Sequence, residues 1–252
     1  MRNICFAFAI CALAATAAVS ARADETEHVS RTLKLDPGGT LRLKNFSGRV
    51  TITASDRSEV VIQAVRHATR ERLDRVKLDI RTEGANVVLV DANHYERSWF
   101  EFVGGNNVVE TDFDITVPHR THLDLSVFSS PVTVEGVEGA HRVHSFSSRL
   151  SLNDVAGSIK AHTFSGSVAI RERTWSSSQS IDVDTFSGDV ELHVPETANA
   201  DVTFNSFSGR LNSGMPLTLH SANGRRLRAE LGSGGTGTLK FKTFSGSVRI
   251  DR

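Results

Sequence analysis

The chain lacks most of what usually marks a catalyst or a cross-linked scaffold. It holds two cysteines, one tyrosine, two tryptophans and five prolines in 252 residues. Cys5 and Cys11 both lie in the N-terminal apolar stretch. A chain trimmed of that stretch has no disulfide and no thiolate metal site, so burial alone must hold it together. Neither charge sign dominates, with 29 basic against 29 acidic residues. That balance leaves no field to attract phosphate backbones or anionic lipid, and no nucleic acid partner is expected. Past residue 23 no apolar run is long enough to cross a bilayer, so no transmembrane segment is expected in the mature chain. There is no Gly-x-Ser-x-Gly elbow, no phosphate loop, no dinucleotide fingerprint and no calcium-binding nonapeptide. The expectation is a protein that is not an enzyme and carries no cofactor.

What is present begins with an export signal. Arg2 supplies a charged start, Ile4 to Val19 an apolar stretch, and Ala21-Arg22-Ala23 a small-x-small cleavage pattern. Residues 1–23 therefore read as a signal peptide removed after Ala23, and the expected location is periplasmic or secreted. Neither cysteine has the context of a lipid-modified one.

The mature chain is organised by a recurrence. Phe-Ser-Gly stands at Phe46, Phe164, Phe186, Phe207 and Phe244, and Phe-Ser-Ser at Phe128 and Phe146. From Phe128 to Phe207 the spacing is 18, 18, 22 and 21 residues. Five and three residues before each Phe the side chains are mostly apolar, for example Leu41 and Leu43, Leu123 and Leu125, Ile181 and Val183. Those between them are polar. Four and six residues after each Phe the alternation resumes, as at Val50 and Ile52 or Val168 and Ile170. This is the period of strands with one buried face. The inward positions are odd before Phe and even after it, so one residue of register must be absorbed between the two strands. Gly48, Gly166, Gly188, Gly209 and Gly246 sit where that must happen. Each unit thus reads as strand, Phe-Ser-Gly corner, strand. A second turn lies opposite, at Glu135-Gly136-Val137-Glu138-Gly139 and Asn153-Asp154-Val155-Ala156-Gly157.

Stacked at about 4.8 Å, such units give an all-β solenoid or roll of two-strand coils. A β-sandwich is the alternative, but it gives no reason for one corner to recur at nearly constant spacing. One elongated domain over residues 24–252 is expected, irregular over 24–120 and regular over 121–252. In the irregular part, Asp36-Pro37-Gly38-Gly39 reads as a turn. Glu59–Val65, Lys77–Ile80, Gly84–Asp91 and Val108–Val117 read as strands, and Thr69–Arg75 as a short helical turn. The Gly-rich run 232–237 suggests a skipped corner or an extra coil.

Two orientations are open for the Phe column. Turned inward, stacked rings fill the end of each coil. Turned outward, they form an exposed aromatic stripe of the kind that marks a binding site. Core-facing positions on both sides of each Phe favour the inward choice. Thr163, Thr185 and Thr243 are expected to stack beside them with hydroxyls bonding along the column. Four before Phe, Asp124 falls opposite Arg142 and Lys160 opposite Asp182, pairings that support the stacking order.

Candidate chemistry is sparse. Two before Phe, His144, His162 and Asp184 fall on successive coils and are the weak candidates for a metal. A flat ladder keeps such side chains parallel, which favours a solvated polar face instead. The segment 94–102 gathers Tyr95, Trp99, Phe100 and Phe102 near His94, Glu96 and Arg97. It suits either a sugar face or a cap on the solenoid end.

The order of motifs resembles the bacterial putative-adhesin family, whose core is a domain of unknown function. The resemblance rests on Pro37-Gly-Gly-x-Leu-x-Leu-x-Asn-x-Ser-Gly-x-Val-x-Ile52, on Asp114-Ile-Thr-Val-Pro118, and on the later Ser-Gly-x-Val repeats. It implies an envelope β-solenoid and brings no catalytic residue. The leading expectation is an exported adhesin-like scaffold or interaction module with an unknown envelope protein or glycan as partner. End-to-end self-association of the solenoid is a further expectation. The alternatives are a carbohydrate-binding or carbohydrate-active solenoid using the aromatic segment, and an envelope-stress accessory protein.

Overall fold

A computed structural model describes residues 24–95 and 108–252. The expected signal peptide lies outside the described residues, as do Trp99, Phe100 and Phe102. The backbone of Tyr95 ends the strand that precedes them.

Strands follow one another almost without interruption. The first group is β1 (Glu25–Lys34), β2 (Gly39–Ser47), β3 (Val50–Ser55) and β4 (Glu59–Ala68). A helical turn α1 (Arg70–Arg75) precedes β5 (Val76–Thr82), β6 (Val87–Tyr95) and β7 (Glu110–Pro118). The next group is β8 (Thr121–Ser129), β9 (Val132–Glu135), β10 (His141–Ser147), β11 (Leu150–Val155), β12 (Ile159–Ser165) and β13 (Val168–Glu172). Then come β14 (Ser180–Ser187), β15 (Val190–His193), β16 (Ala200–Ser206) and β17 (Leu211–Ser213). The chain finishes with β18 (Leu217–Asn223), β19 (Arg226–Leu231), β20 (Gly237–Ser245) and β21 (Val248–Asp251).

These strands wind into a β-solenoid. Strands entering the Phe corner form one face, stacked in parallel as β2, β8, β10, β12, β14, β20, β16. Strands leaving it form the other face as β3, β9, β11, β13, β15, β21, β17. Equivalent residues pair directly, as His141 with Leu123 and Ile159, so the register is that of the repeat. Parallel in-register pairing of the same corner rules out the sandwich.

The order of coils departs from the order of the chain at both ends of the stack. After β15 the chain skips a level to make β16 and β17. It turns through the antiparallel pair β18–β19 and returns as β20 and β21 to fill the gap. The Gly-rich run 232–237 makes that return. At the other end, β6 pairs with β2 and β7 with β3, forming a lower coil. Asp91 lies beside Lys44 and Phe113 beside Val50. There β6 ends at Tyr95 and β7 begins at Glu110. Antiparallel strands then continue both faces, β5 beside β6 and β4–β1 beside β7. The first part of the chain is therefore irregular in its connections while still holding one regular coil, β2–β3.

The core lies between the two faces. Leu41, Leu43, Val50 and Ile52 of one coil and their equivalents above, as far as β20–β21, are essentially inaccessible. The expected short helix forms at Arg70–Arg75 and buries Leu73 against Ala68, Val76 and Val109. The expected turn forms too, with the Gly39 N–H donating to the Asp36 carbonyl at 2.9 Å.

Glycine at the corner is required for space as well as for conformation. Gly166 has φ +127°, and a Cβ there would collide with the Ser148 carbonyl. Gly188 in turn is closed by the Gly166 carbonyl. Where Ser replaces Gly, the hydroxyl turns inward and is used. The Ser130 N–H donates to Ser148 Oγ at 2.9 Å, and Asn45 Nδ2 donates to Ser130 Oγ at 3.2 Å.

Candidate functional site

The Phe column is not buried. The seven corner rings are between 37% and 52% exposed, and Phe204 and Phe241, three before two of the corners, are buried instead. The inward expectation is corrected by the strand alternation itself. Inward positions fall five, three and one before the corner. Thr163, Thr185 and Thr243, just ahead of Phe, are 5%, 2% and 4% exposed. Phe at position zero is the next outward residue, because register is absorbed only afterwards, at Ser-Gly. The threonines do stack, Thr163 on Thr185 on Thr243. Their hydroxyls do not link the column: Thr163 donates to the Ser165 carbonyl at 3.2 Å, and those of Thr185 and Thr243 meet no partner among the described residues.

The outward rings form one file. Its order is Phe46, Phe128, Phe146, Phe164, Phe186, Phe244, Phe207, following the coils rather than the chain. Successive ring centroids are 4.6 to 5.0 Å apart, and no pair is tilted by more than 8°. Strand spacing sets this distance, and in-register parallel pairing keeps the rings co-facial. Arg225 closes the Phe207 end, its guanidinium carbon 4.1 Å from the ring centroid. Each inner ring therefore has both faces covered by neighbours and offers solvent only its edge.

A groove of about 820 Å³ runs beside the file. Its far wall is the column two before Phe, which includes Lys44, Ser126, His144, His162, Asp184 and Lys242, and its floor includes Val127, Thr163 and Thr185. The three weak metal candidates meet here but do not converge. The His144 and His162 rings stack at 5.3 Å and 6°. His162 Nδ1 is 3.9 Å from Asp184 Oδ2, whose nearer partner is Lys242 Nζ at 3.1 Å. Partial burial and then the neighbouring His162 hold the His144 imidazole below its ordinary pKa. No cluster of three His, Cys, Asp or Glu suited to a metal occurs among the described residues.

Further out on the same face the column four before Phe runs Arg42, Asp124, Arg142, Lys160, Asp182, Lys240. The expected neighbours are in register, Asp124 with Arg142 and Lys160 with Asp182. Among the described residues the ion pair within this column is Arg42 with Asp124, at 3.4 Å.

The opposite edge holds two ionisable groups whose significance was missed from sequence. Glu172 is 5% exposed, and burial pushes its carboxyl up to about 8, against a smaller opposing effect of the Gln179 side chain. His141 is 1% exposed with Nε2 3.2 Å from the Val137 carbonyl, and burial pushes it down to about 4. Parity was the available signal: Glu172 stands eight after Phe164, an inward position, and His141 five before Phe146.

Comparison with known proteins gives a family and a fold. The model of the family described as Toastrack DUF4097 matches residues 114–251, more than half of the chain. Among solved structures, a "putative cell adhesion protein" from Clostridium sporogenes superposes with a TM-score of 0.54 at 10% identity, covering 89% of this chain and 99% of that one. A "putative adhesin" from Bacteroides fragilis matches with a TM-score of 0.33 at 11% identity, covering 89% and 97%. A "putative lipid binding protein" from Parabacteroides distasonis has a TM-score of 0.36 at 11% identity, covering 89% and 96%. No curated protein matches the chain in sequence.

Proposed function

This chain belongs to the Toastrack DUF4097 family, and from that premise we propose that it is an exported, non-enzymatic, adhesin-like binding module of the bacterial envelope whose contact surface is the Phe file. One observation carries the reading: seven phenylalanines stand in a single exposed row. A soluble protein seldom leaves so long an apolar patch uncovered unless something covers it in use. The core has no need of these rings, since it is filled from the alternate positions. Export is supported by the apolar stretch and cleavage pattern of residues 1–23.

The surface is shaped for apolar contact and poorly shaped for sugar stacking. A pyranose packs on an aromatic face, and the inner faces here are occupied by neighbouring rings.

Two measurements test the reading. Expressed in a bacterial host, the chain should be recovered outside the cytoplasm with Asp24 as its first residue; a cytoplasmic product that keeps residues 1–23 removes the export half. The purified protein should be retained by washed envelope fractions. The double variant Phe146→Ser, Phe164→Ser should be retained at least several-fold less, and undiminished retention removes the Phe file as the contact surface.

A further inference from the structure

We propose that the Phe face also takes a second copy of this chain, stack against stack and running in the opposite direction. This rests on the reading of the file as a contact surface and names one partner for it.

Area is the first argument. Each corner ring leaves between 37% and 52% of its surface uncovered. At roughly 200 Å² for a phenylalanine, seven such rings offer on the order of 600–700 Å². That approaches the ~800 Å² per partner of a standard stable interface, before the flanking columns are added.

Period is the second. The exposed feature is a row of ring edges repeating every 4.6 to 5.0 Å. A facing surface matches it along its whole length only if it carries the same strand-set repeat, and an identical copy does so by construction.

Charge chooses the direction. Take a two-fold axis along the strands, through the Phe164 level. The Phe146 level then faces the Phe186 level of the second copy, Phe128 faces Phe244, and Phe46 faces Phe207. In the column four before Phe, Arg142 meets Asp182 of the second copy, and Asp124 meets Lys240 of the second copy. In the column two before Phe, His144 meets Asp184 of the second copy. Each pairing occurs twice by symmetry. Only Lys160 and His162, on the axis itself, meet their own kind. The parallel alternative has its axis along the stack. With that axis over the column two before Phe, Lys44, Asp184 and Lys242 are set against themselves and the rings lie over the charged column; with it over the Phe file, the flanking columns fall on opposite sides and add no contact. Opposed like charges suppress that arrangement and complementary ones select the antiparallel arrangement. Arg142 and Asp182 are the informative pair. They lie two levels apart within one chain and form no ion pair there, so their attraction is available to a partner.

The test is sedimentation velocity on the purified protein up to about 100 μM, where a dimer of micromolar Kd is well populated. The wild type should dimerise. Arg142→Asp and Asp182→Arg should each weaken the dimer by about tenfold or more, the loss expected when close interfacial charges are set against like ones. The double variant Arg142→Asp, Asp182→Arg restores the pairing and should recover most of the affinity. Equal melting temperatures measured well below the dimer Kd, where all four proteins are monomers, exclude a folding defect. A monomeric wild type at the highest concentration overturns the proposal, as does a dimer that neither single variant weakens or that the double variant fails to rescue. The envelope test stands apart from this one. Phe-dependent envelope retention by a monomer sinks the dimer and leaves the binding reading standing. A rescued dimer whose envelope retention ignores Phe146→Ser, Phe164→Ser does the reverse.

Discussion

The two edges of the solenoid obey different rules. At the Phe corner every regular coil has the same three or nearly the same three residues, and each ring repeats the last with a tilt of 8° or less. At the opposite edge no two turns share a sequence. One is Glu135–Gly139, another spans 173–179 with Trp175 bonded to the Asn199 carbonyl at 3.1 Å, and a third lets the chain skip a level. Yet the variable edge carries two buried ionisable groups, Glu172 and His141, and the invariant edge carries the exposed rings. Identity along a column is thus not a sign of burial here. The core needs only apolar volume of the right parity, and Leu, Ile, Val and Ala all supply it. The corner needs glycine for backbone space, and the repeated Phe answers to its neighbours above and below and to whatever docks on it.

The largest contrast should come from filling the corner. Gly166→Val forces a side chain into the Ser148 carbonyl at a φ that a branched residue avoids. A loss of about 4 kcal/mol or more places it among the severe substitutions, and urea denaturation followed by circular dichroism reads it. A variant as stable as the wild type would show that the corner backbone is not as tight as described.

The variable edge should respond to pH. The Glu172 carboxyl is raised by burial to about 8 from an ordinary 4.5. Between those values the folded chain holds a proton that the unfolded chain has released, so stability falls as pH rises through that window. His141 is depressed to about 4 from 6.5. The unfolded chain binds its proton first, so stability falls as pH drops from 6.5 towards 4. Glu172→Gln should remove the alkaline slope and raise stability at pH 8 by a few kcal/mol, each pKa unit being about 1.4 kcal/mol. Melting temperatures at pH 5 and pH 8 check this. An unchanged alkaline slope in the variant would mean that Glu172 is solvated.

Within the file, position should matter more than chemistry. Phe164→Ser removes two stacking contacts and should cost on the order of 1–2 kcal/mol. Phe46→Ser, at the end of the file among the described residues, removes one of the described contacts and should cost about half as much. Equal losses would show that the rings do not support one another. The smallest effect should be that of Lys242→Ala, which breaks a solvent-facing pair with Asp184 at 3.1 Å. Exposed pairs are worth about 1 kcal/mol or less, and the difference should shrink further in high salt.

Much of this fold could be read from residue parity. The corner, the register shift at Ser-Gly and the stacking of Asp124 beside Arg142 all follow from alternation and spacing. So did the turn at Asp36–Gly39 and the helix near Leu73. The orientation of Phe is legible in the same parity, but the core-facing positions on both sides of each Phe point the other way unless the register shift is placed after the ring, at Ser-Gly. The interleaving of β20–β21 between β14–β15 and β16–β17 was not legible, since pattern gives the members of a stack but not their order. Glu172 is marked in the sequence only by its inward parity, and parity alone does not say whether a charged residue in such a slot is buried or solvated. Of the aromatic segment 94–102, Trp99, Phe100 and Phe102 lie outside the described residues, and its roles as a sugar site or a cap are expectations from sequence.

The exposed Phe file is tested most directly by fluorine NMR on protein labelled with fluorophenylalanine and assigned by single Phe→Leu changes. In dilute solution the seven corner signals should shift when H2O is exchanged for D2O, while Phe113, Phe204 and Phe241 should not, and the corner shifts should diminish as concentration rises. Corner signals as insensitive to solvent as those of Phe113 at every concentration would place the rings inside and contradict the outward file.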